Sequence, residues 1–332
     1  MSIEWLPFLA SLSTLALIYG LLALGLNLHY GYTGLLNFGH VAFFAAGAFA
    51  SALATLPPPG SPEYIAIGGK YTIGLGLPFL VGMGMAALAG GLLAFLIGLT
   101  SIRLTSHYLA IATFAMAEIF QAFLSNEEWL TRGVYGINVV PQPLKGTLVP
   151  VEQYTYFYLI LTAAVVAVLL IFAQLLTESP FGRVLRGIRE DELAARTLGK
   201  DTPRAKLIAF VLGGALAGIA GSLWTHSIGA VHVGQFVPIV TFQVWLAMLI
   251  GGAGNNVGVI LGAFVLMLIR EGTRFVSNIP GLDRFAASNP TFVPSLRFVL
   301  IGLLIVIVVR FFPNGLLPER RRRASRSRGG RP

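Results

Sequence analysis

The chain has 332 residues, 55% of them hydrophobic and only 11% charged, with a formal net charge of +9 and a mean hydropathy of +0.78. Soluble chains carry roughly 25% charged residues, so a water-facing surface could not be covered and a soluble multidomain enzyme is excluded. Cysteine is absent, which removes disulfides, thiolate catalysis and cysteine-held metals.

The positive balance is badly placed for nucleic acid. Of 23 Lys and Arg, seven lie in 180–206 and seven more in 320–331. Clusters beside membrane spans mark the cytoplasmic face, and a terminal basic run suits anionic lipid.

A helix needs about 20 apolar residues to cross roughly 30 Å of hydrocarbon. No Asp, Glu, Lys or Arg lies between Glu4 and Glu63, or between Lys206 and Arg270. Shorter uncharged runs cover Tyr71–Ile102, Gln153–Thr177 and Phe298–Val309. The N-terminus lacks a basic n-region and a small-residue cleavage site, so Leu6–Leu28 reads as a retained first span. The fold class is all-α, a polytopic integral membrane helical bundle of about nine spans. They are expected at 6–28, 34–56, 73–99, 104–125, 155–176, 207–227, 238–251, 257–272 and 297–311. With the N-terminus outside, both basic clusters, Arg103 and the C-terminus fall in the cytoplasm. Loops 57–72 and 126–154 fall outside. Residues 1–318 form the membrane domain, and 319–332 read as a basic, disordered tail.

Two uncharged runs are interrupted by glycine and amide groups, YGYTGLLNFGH at Tyr30–His40 and GGAGNNVG at Gly251–Gly258. Both fit Gly-x7-Gly-Ala-Phe, from Gly39 to Gly47-Ala48-Phe49 and from Gly254 to Gly262-Ala263-Phe264. Irregular backbone at membrane depth must be packed in protein or line a polar cavity, and paired breaks of this kind point to a transporter's pathway. Tyr32, Asn37, His40, Gln243, Asn255 and Asn256 are the pathway candidates. Close helix packing is the competing role for single glycines, as at Gly213, Gly214, Gly218 and Gly221.

No nucleotide-binding loop exists: Gly69-Lys70 precedes Tyr71 rather than Ser or Thr, and Tyr64 stands where such a loop needs Gly. The loop ESPFGRVLRGIREDELAARTLGKDTPRAK, 178–206, is long and amphipathic. Ile188, Leu193 and Leu198 are expected along one side of a short helix or helix pair. Arg183, Arg186, Arg189 and Arg196, with Glu190, Asp191 and Glu192, are expected to face water. Gly199 suits a helix C-cap and Pro203 the first turn of the next helix.

Five blocks in order, covering about 23–318, resemble the permease subunits of branched-chain amino-acid ABC importers of the LivM type. They are ALGLNLHYGYTGLLNFGHVAFFAAGAFASAL, YLAIATFAMAEI, GRVLRGIREDELAARTLG with KLIAFVLGGALAGIAGSL, LIGGAGNNVGVILGAF, and RFFPNGLLP. The resemblance implies a multi-pass subunit of a prokaryotic plasma (inner) membrane. It implies a second related permease, two ATPases that carry the ATP and Mg, and an extracytoplasmic binding protein; the chain itself is a transport subunit with no cofactor. Glu192–Gly199 then resembles the motif that seats such permeases in the ATPase, with Arg186, Arg189, Glu190, Asp191, Glu192, Ala195 and Gly199 as coupling residues. Its spacing is one residue longer than the general pattern, which leaves the key acid open. LTRGVYGI departs from a Gly-Gly-Pro-type stretch common in the family. Urea or short-amide importers use similar permeases, and a self-sufficient secondary transporter or channel is the reading outside that class.

Glu118 is the only acid well inside an expected span and is a candidate for an internal polar contact on the pathway. No His pair has the i, i+4 spacing of a helical metal site, so no metal is expected. Arg270, Glu271 and Arg274 read as a snorkelling cluster.

Overall fold

The structure, a computed structural model, describes residues 5–66, 72–273, 292–312 and 314–319. In chain order the helices are α1 (Trp5–His29), α2 (His40–Thr55), α3 (Pro62–Ala66), α4 (Phe79–Ser101), α5 (Ser106–Asn126), α6 (Glu128–Thr131), α7 (Tyr154–Glu178), α8 (Pro180–Glu190), α9 (Glu192–Thr197), α10 (Thr202–Ile228), α11 (Pro238–Gly251), α12 (Asn256–Gly272) and α13 (Phe292–Phe311). Each expected span falls on one of the long helices. Six stretches of the described residues are long and apolar enough to cross a membrane: Trp5–His29, Phe79–Ser101, His107–Asn126, Val151–Glu178, Thr202–Ile228 and Val233–Gly251. The second expected span, 34–56, shortens to α2 because 30–39 is irregular; its 16 residues reach only about 24 Å at 1.5 Å each.

The hydrophobic sequence of α1 has no polar face, and a helix apolar all round belongs in a core. Every residue from Ile18 to His29 is buried, and α7, α10, α11 and α12 pack around it. On its other side α10 meets α2 and α4 through small residues. A Cβ on Gly47 would lie 2.2 Å from the Gly218 carbonyl oxygen, and one on Gly90 2.5 Å from that of Gly214. The two Gly-x7-Gly-Ala-Phe copies are used alike: Gly262, like Gly47, abuts a neighbouring backbone, 2.0 Å from the Ala247 oxygen. By contrast α4, α5 and α7 expose large side chains such as Leu88, Leu92, Ile111, Ile119, Ile160 and Leu175, as lipid-facing helices do.

The loop 178–206 forms the helix pair α8–α9, and each start is written in its sequence. Ser179 accepts from the Gly182 amide and is followed by Pro180. Asp191 has extended backbone, so it ends α8 and caps α9 through the Ala194 amide at 2.9 Å. Asp201 caps α10 just before Pro203. The break at Asp191 corrects one expectation. Ile188 is buried at 4%, whereas Leu193 and Leu198 are exposed at 72% and 77%, because they follow the change of helix direction. At the opposite end, LTRGVYGI makes a tight turn with Arg132 at φ 61° and leaves Val134 and Tyr135 exposed. Ile137 there pairs with Val231 in an isolated antiparallel bridge.

Candidate functional site

Both glycine breaks meet the helix pair at one end of the bundle. The amide of Asn27, fully buried in the last turn of α1, donates to Asn256 Oδ1 at 3.0 Å and accepts from the Gly254 amide at 2.8 Å. Asn256 Nδ2 donates on to Thr177 Oγ1 at 3.1 Å, tying in the end of α7. Asn255 caps α12 by accepting from the amides of Val257 and Gly258. Its Nδ2 donates to the Pro318 carbonyl at 3.2 Å. Backbone bonds from Leu316 to Ile250 and from Leu317 to Gly251 lay residues 314–319 against the α11–α12 turn.

Arg186 and Arg189 of α8 do not face water as expected; both are half-buried at Glu319, the first residue assigned to the tail. Arg189 Nη2 lies 2.7 Å from Glu319 Oε2, and Arg186 Nε 3.2 Å from Oε1. Arg189 also donates to the Gly31 carbonyl, and the Arg186 guanidinium sits 5.3 Å over the buried Tyr32 ring. Opposite charge outweighed the composition of the tail. Residues 320–332 lie outside the described residues.

Asn37 and His40 are fully buried in a closed network. Asn37 Nδ2 faces His29 Nδ1 at 3.0 Å and His40 Nδ1 at 3.5 Å, while the two Nε2 atoms face the carbonyls of Phe210 and Leu22. That pattern fits the Nε2–H tautomer of both rings. The Asn37 carbonyl accepts from Trp245 Nε1 at 2.9 Å. Gln243 stands apart, toward the other end. Arg270 Nη1 donates to Tyr19 Oη at 2.7 Å and to Gln243 Oε1 at 3.3 Å. Arg270 therefore turns inward rather than snorkelling, since a helical side chain leans toward its own N-terminus and finds a hydroxyl there. Arg274 lies outside the described residues. Glu118 is exposed on α5, on a helix face turned away from the bundle, and meets no polar partner among the described residues.

On the helix pair, Glu192 is held within the chain. Lys206 donates to one of its oxygens, and Arg196 and Thr202 to the other at 2.7 and 3.1 Å. Burial pushes the Glu192 carboxyl up, but hydrogen bonds from Lys206 and Arg196 outweigh it and hold it below the usual carboxylate range. An open pocket of about 490 Å³ beside it is lined by Arg103, Thr105, Arg196, Pro203 and Lys206. Glu190, Asp191 and Gly199 are exposed and Ala195 is buried. Among the described residues no three His, Asp or Glu come together as metal ligands. Asn27 and Glu319 were missed by sequence reasoning. Asn27 is a lone amide inside LGLNLH, and that interruption of an apolar run was the available signal; Glu319 gave none.

A bundle of apolar helices with two packed glycine breaks and one structured polar loop defines a multi-pass membrane protein of the transport kind. The chain belongs to the family of branched-chain amino acid transport system permease components, whose model matches residues 8–309. The high-affinity branched-chain amino acid permease LivM of Escherichia coli K12 is 30% identical over 97% of this chain and 73% of its own length. A probable LivM of Methanocaldococcus jannaschii is 29% identical over 91% of both chains. The E. coli permease LivH is 24% identical over 96% of this chain and 97% of its own. No solved structure matches the chain.

Proposed function

We propose that the chain is the permease subunit of an ATP-driven ABC importer for branched-chain amino acids. The observation that carries this reading is the family match, supported by the structured helix pair α8–α9 at the end where both glycine breaks converge. A second permease of the LivH type would complete the pathway, two ATPases would seat on the helix pair, and a binding protein would deliver substrate at the other end. The N-terminus is then outside and the helix pair cytoplasmic, in agreement with the seven Lys and Arg of residues 180–206.

Mechanically, ATP-driven closure of the ATPases moves α8–α9, and that motion rocks α1, α7 and α12 about the buried Asn27 contacts. Alternating exposure of a midplane pathway follows. The exposed Leu193 and Leu198, with the carboxylate of Glu190, which has no ion pair among the described residues, supply an apolar anchor with a charged rim. Because Glu192 is spent on Lys206 and Arg196, Glu190 is the acid that reaches the ATPase. At the far end the exposed Trp129, Val134 and Tyr135 are the surface for the binding protein.

Uptake of labelled leucine and labelled urea, with and without this chain and before and after ATP depletion, tests the reading. Loss of ATP-dependent leucine uptake alone is expected. Loss of urea uptake alone would overturn the substrate, and chain-dependent uptake that survives ATP depletion would overturn the ABC class. Glu190→Lys should lower recovery of the ATPase in a pull-down; wild-type recovery removes Glu190 from the docking surface.

A further inference from the structure

We propose that Glu319 is a positioning residue of the transport cycle: its carboxylate, held between Arg186 and Arg189, makes α8 and both glycine turns move as one body. This rests on the reading that α8–α9 receives the ATPase. The contacts form an unbroken path. Arg189 grips Glu319 with one nitrogen and the Gly31 carbonyl of the first break with the other. Arg186 adds Glu319, the Thr177 carbonyl at 3.1 Å and the Tyr32 ring. Glu319 ends the strap 314–319, which is bonded through Leu316, Leu317 and Pro318 to the second break.

The strap lies in close backbone contact with that turn. A Cβ on Gly252 would meet the Leu317 carbonyl oxygen at 2.3 Å, and one on Gly315 the Gly252 Cα at 2.3 Å. Gly252, at φ 110°, and Gly315, at φ 73°, also hold backbone conformations that favour glycine. Among the described residues Glu319 is the one carboxylate paired with either arginine. Side-chain exposures of 22–32% make these ion pairs weak contributors to stability. Their value lies in direction: without Glu319, α8 keeps its ATPase surface and its contacts to the first break and loses its hold on the second.

The test uses the full transporter in membrane vesicles, with ATP and labelled leucine. Glu319→Ala should retain the ATPases and ATP hydrolysis while uptake per ATP falls roughly tenfold, within the usual range of coupling between sites. Because the chain has no cysteine, Arg189→Cys with Glu319→Cys can be bridged by a short bis-maleimide, and bridging should restore uptake per ATP. Unchanged uptake per ATP in Glu319→Ala overturns the proposal, as does a bridged double variant no better than the unbridged one. If Glu319→Ala fails to assemble, Glu319→Gln, which keeps the side chain's shape and loses its charge, decides in the same way. Failure of the wild-type chain to capture the ATPases would instead overturn the docking reading.

Discussion

Asn27 sits in an apolar helix with no access to solvent, and both ends of its amide are in use. Its oxygen is the acceptor for the buried Gly254 amide, so replacing it with an apolar isostere strips a donor that has no water to turn to. An unmet buried donor costs about 1–3 kcal/mol, well above the ±0.5 kcal/mol of a neutral surface change. Asn27→Leu should therefore destabilise the chain by about 2 kcal/mol, read from thermal unfolding in detergent. A change of under 0.5 kcal/mol would show that the second break is held by other contacts. Asn37 and His40 were legible as polar groups in a broken segment. That Asn37 meets both rings, and that His29 and His40 close on carbonyls of α10 and α1, was not, because backbone acceptors leave no mark in the sequence.

Packing of whole elements follows the small residues. At Gly47 the α2 and α10 backbones touch, and a methyl group would lie 2.2 Å from the Gly218 oxygen. At Gly84, on the outer face of α4, nothing stands within 4 Å of the same methyl. Gly47→Ala should thus destabilise by about 1–3 kcal/mol through overpacking. Gly84→Ala should be neutral or stabilising by up to about 1 kcal/mol through helix propensity. Equal thermal shifts would remove the close-packing role. The split of the helix pair was half legible: Pro180, Asp191, Gly199 and Pro203 punctuate the loop, yet the direction change at Asp191 that exposes Leu193 and Leu198 depends on tertiary seating. Glu192 holds α9 to α10 through Lys206, and its lowered carboxyl pKa fixes the sign of the pH effect. A depressed carboxylate stabilises above its unfolded pKa of about 4 and loses that stabilisation as pH falls through its folded value. Protection of the α9 amides from hydrogen exchange, corrected for the intrinsic pH dependence of exchange, should be higher at neutral pH and fall in acid. Glu192→Gln should remove that pH dependence; an unaltered profile would assign it to another group.

At the scale of the molecule, hydropathy and charge gaps located every long helix among the described residues, because the bilayer length is imposed on each span separately. They could not show that residues 27, 177, 189, 254 and 319 meet, since that depends on how spans pack. The same limit applies to Glu118. It lies eight residues from the end of α5, about 12 Å at 1.5 Å per residue, on a face that this chain leaves open. A carboxylate facing lipid at depth costs about 2.5–3.5 kcal/mol at the centre of a helix. Leucine would relieve that cost if lipid covered the face, and would remove a polar contact if a second permease covered it. Glu118→Leu should accordingly lower recovery of the proposed second permease in a pull-down while the amount of this chain in the membrane is unchanged. Undiminished recovery with a more stable isolated chain would place α5 against lipid and move the subunit contact to another face.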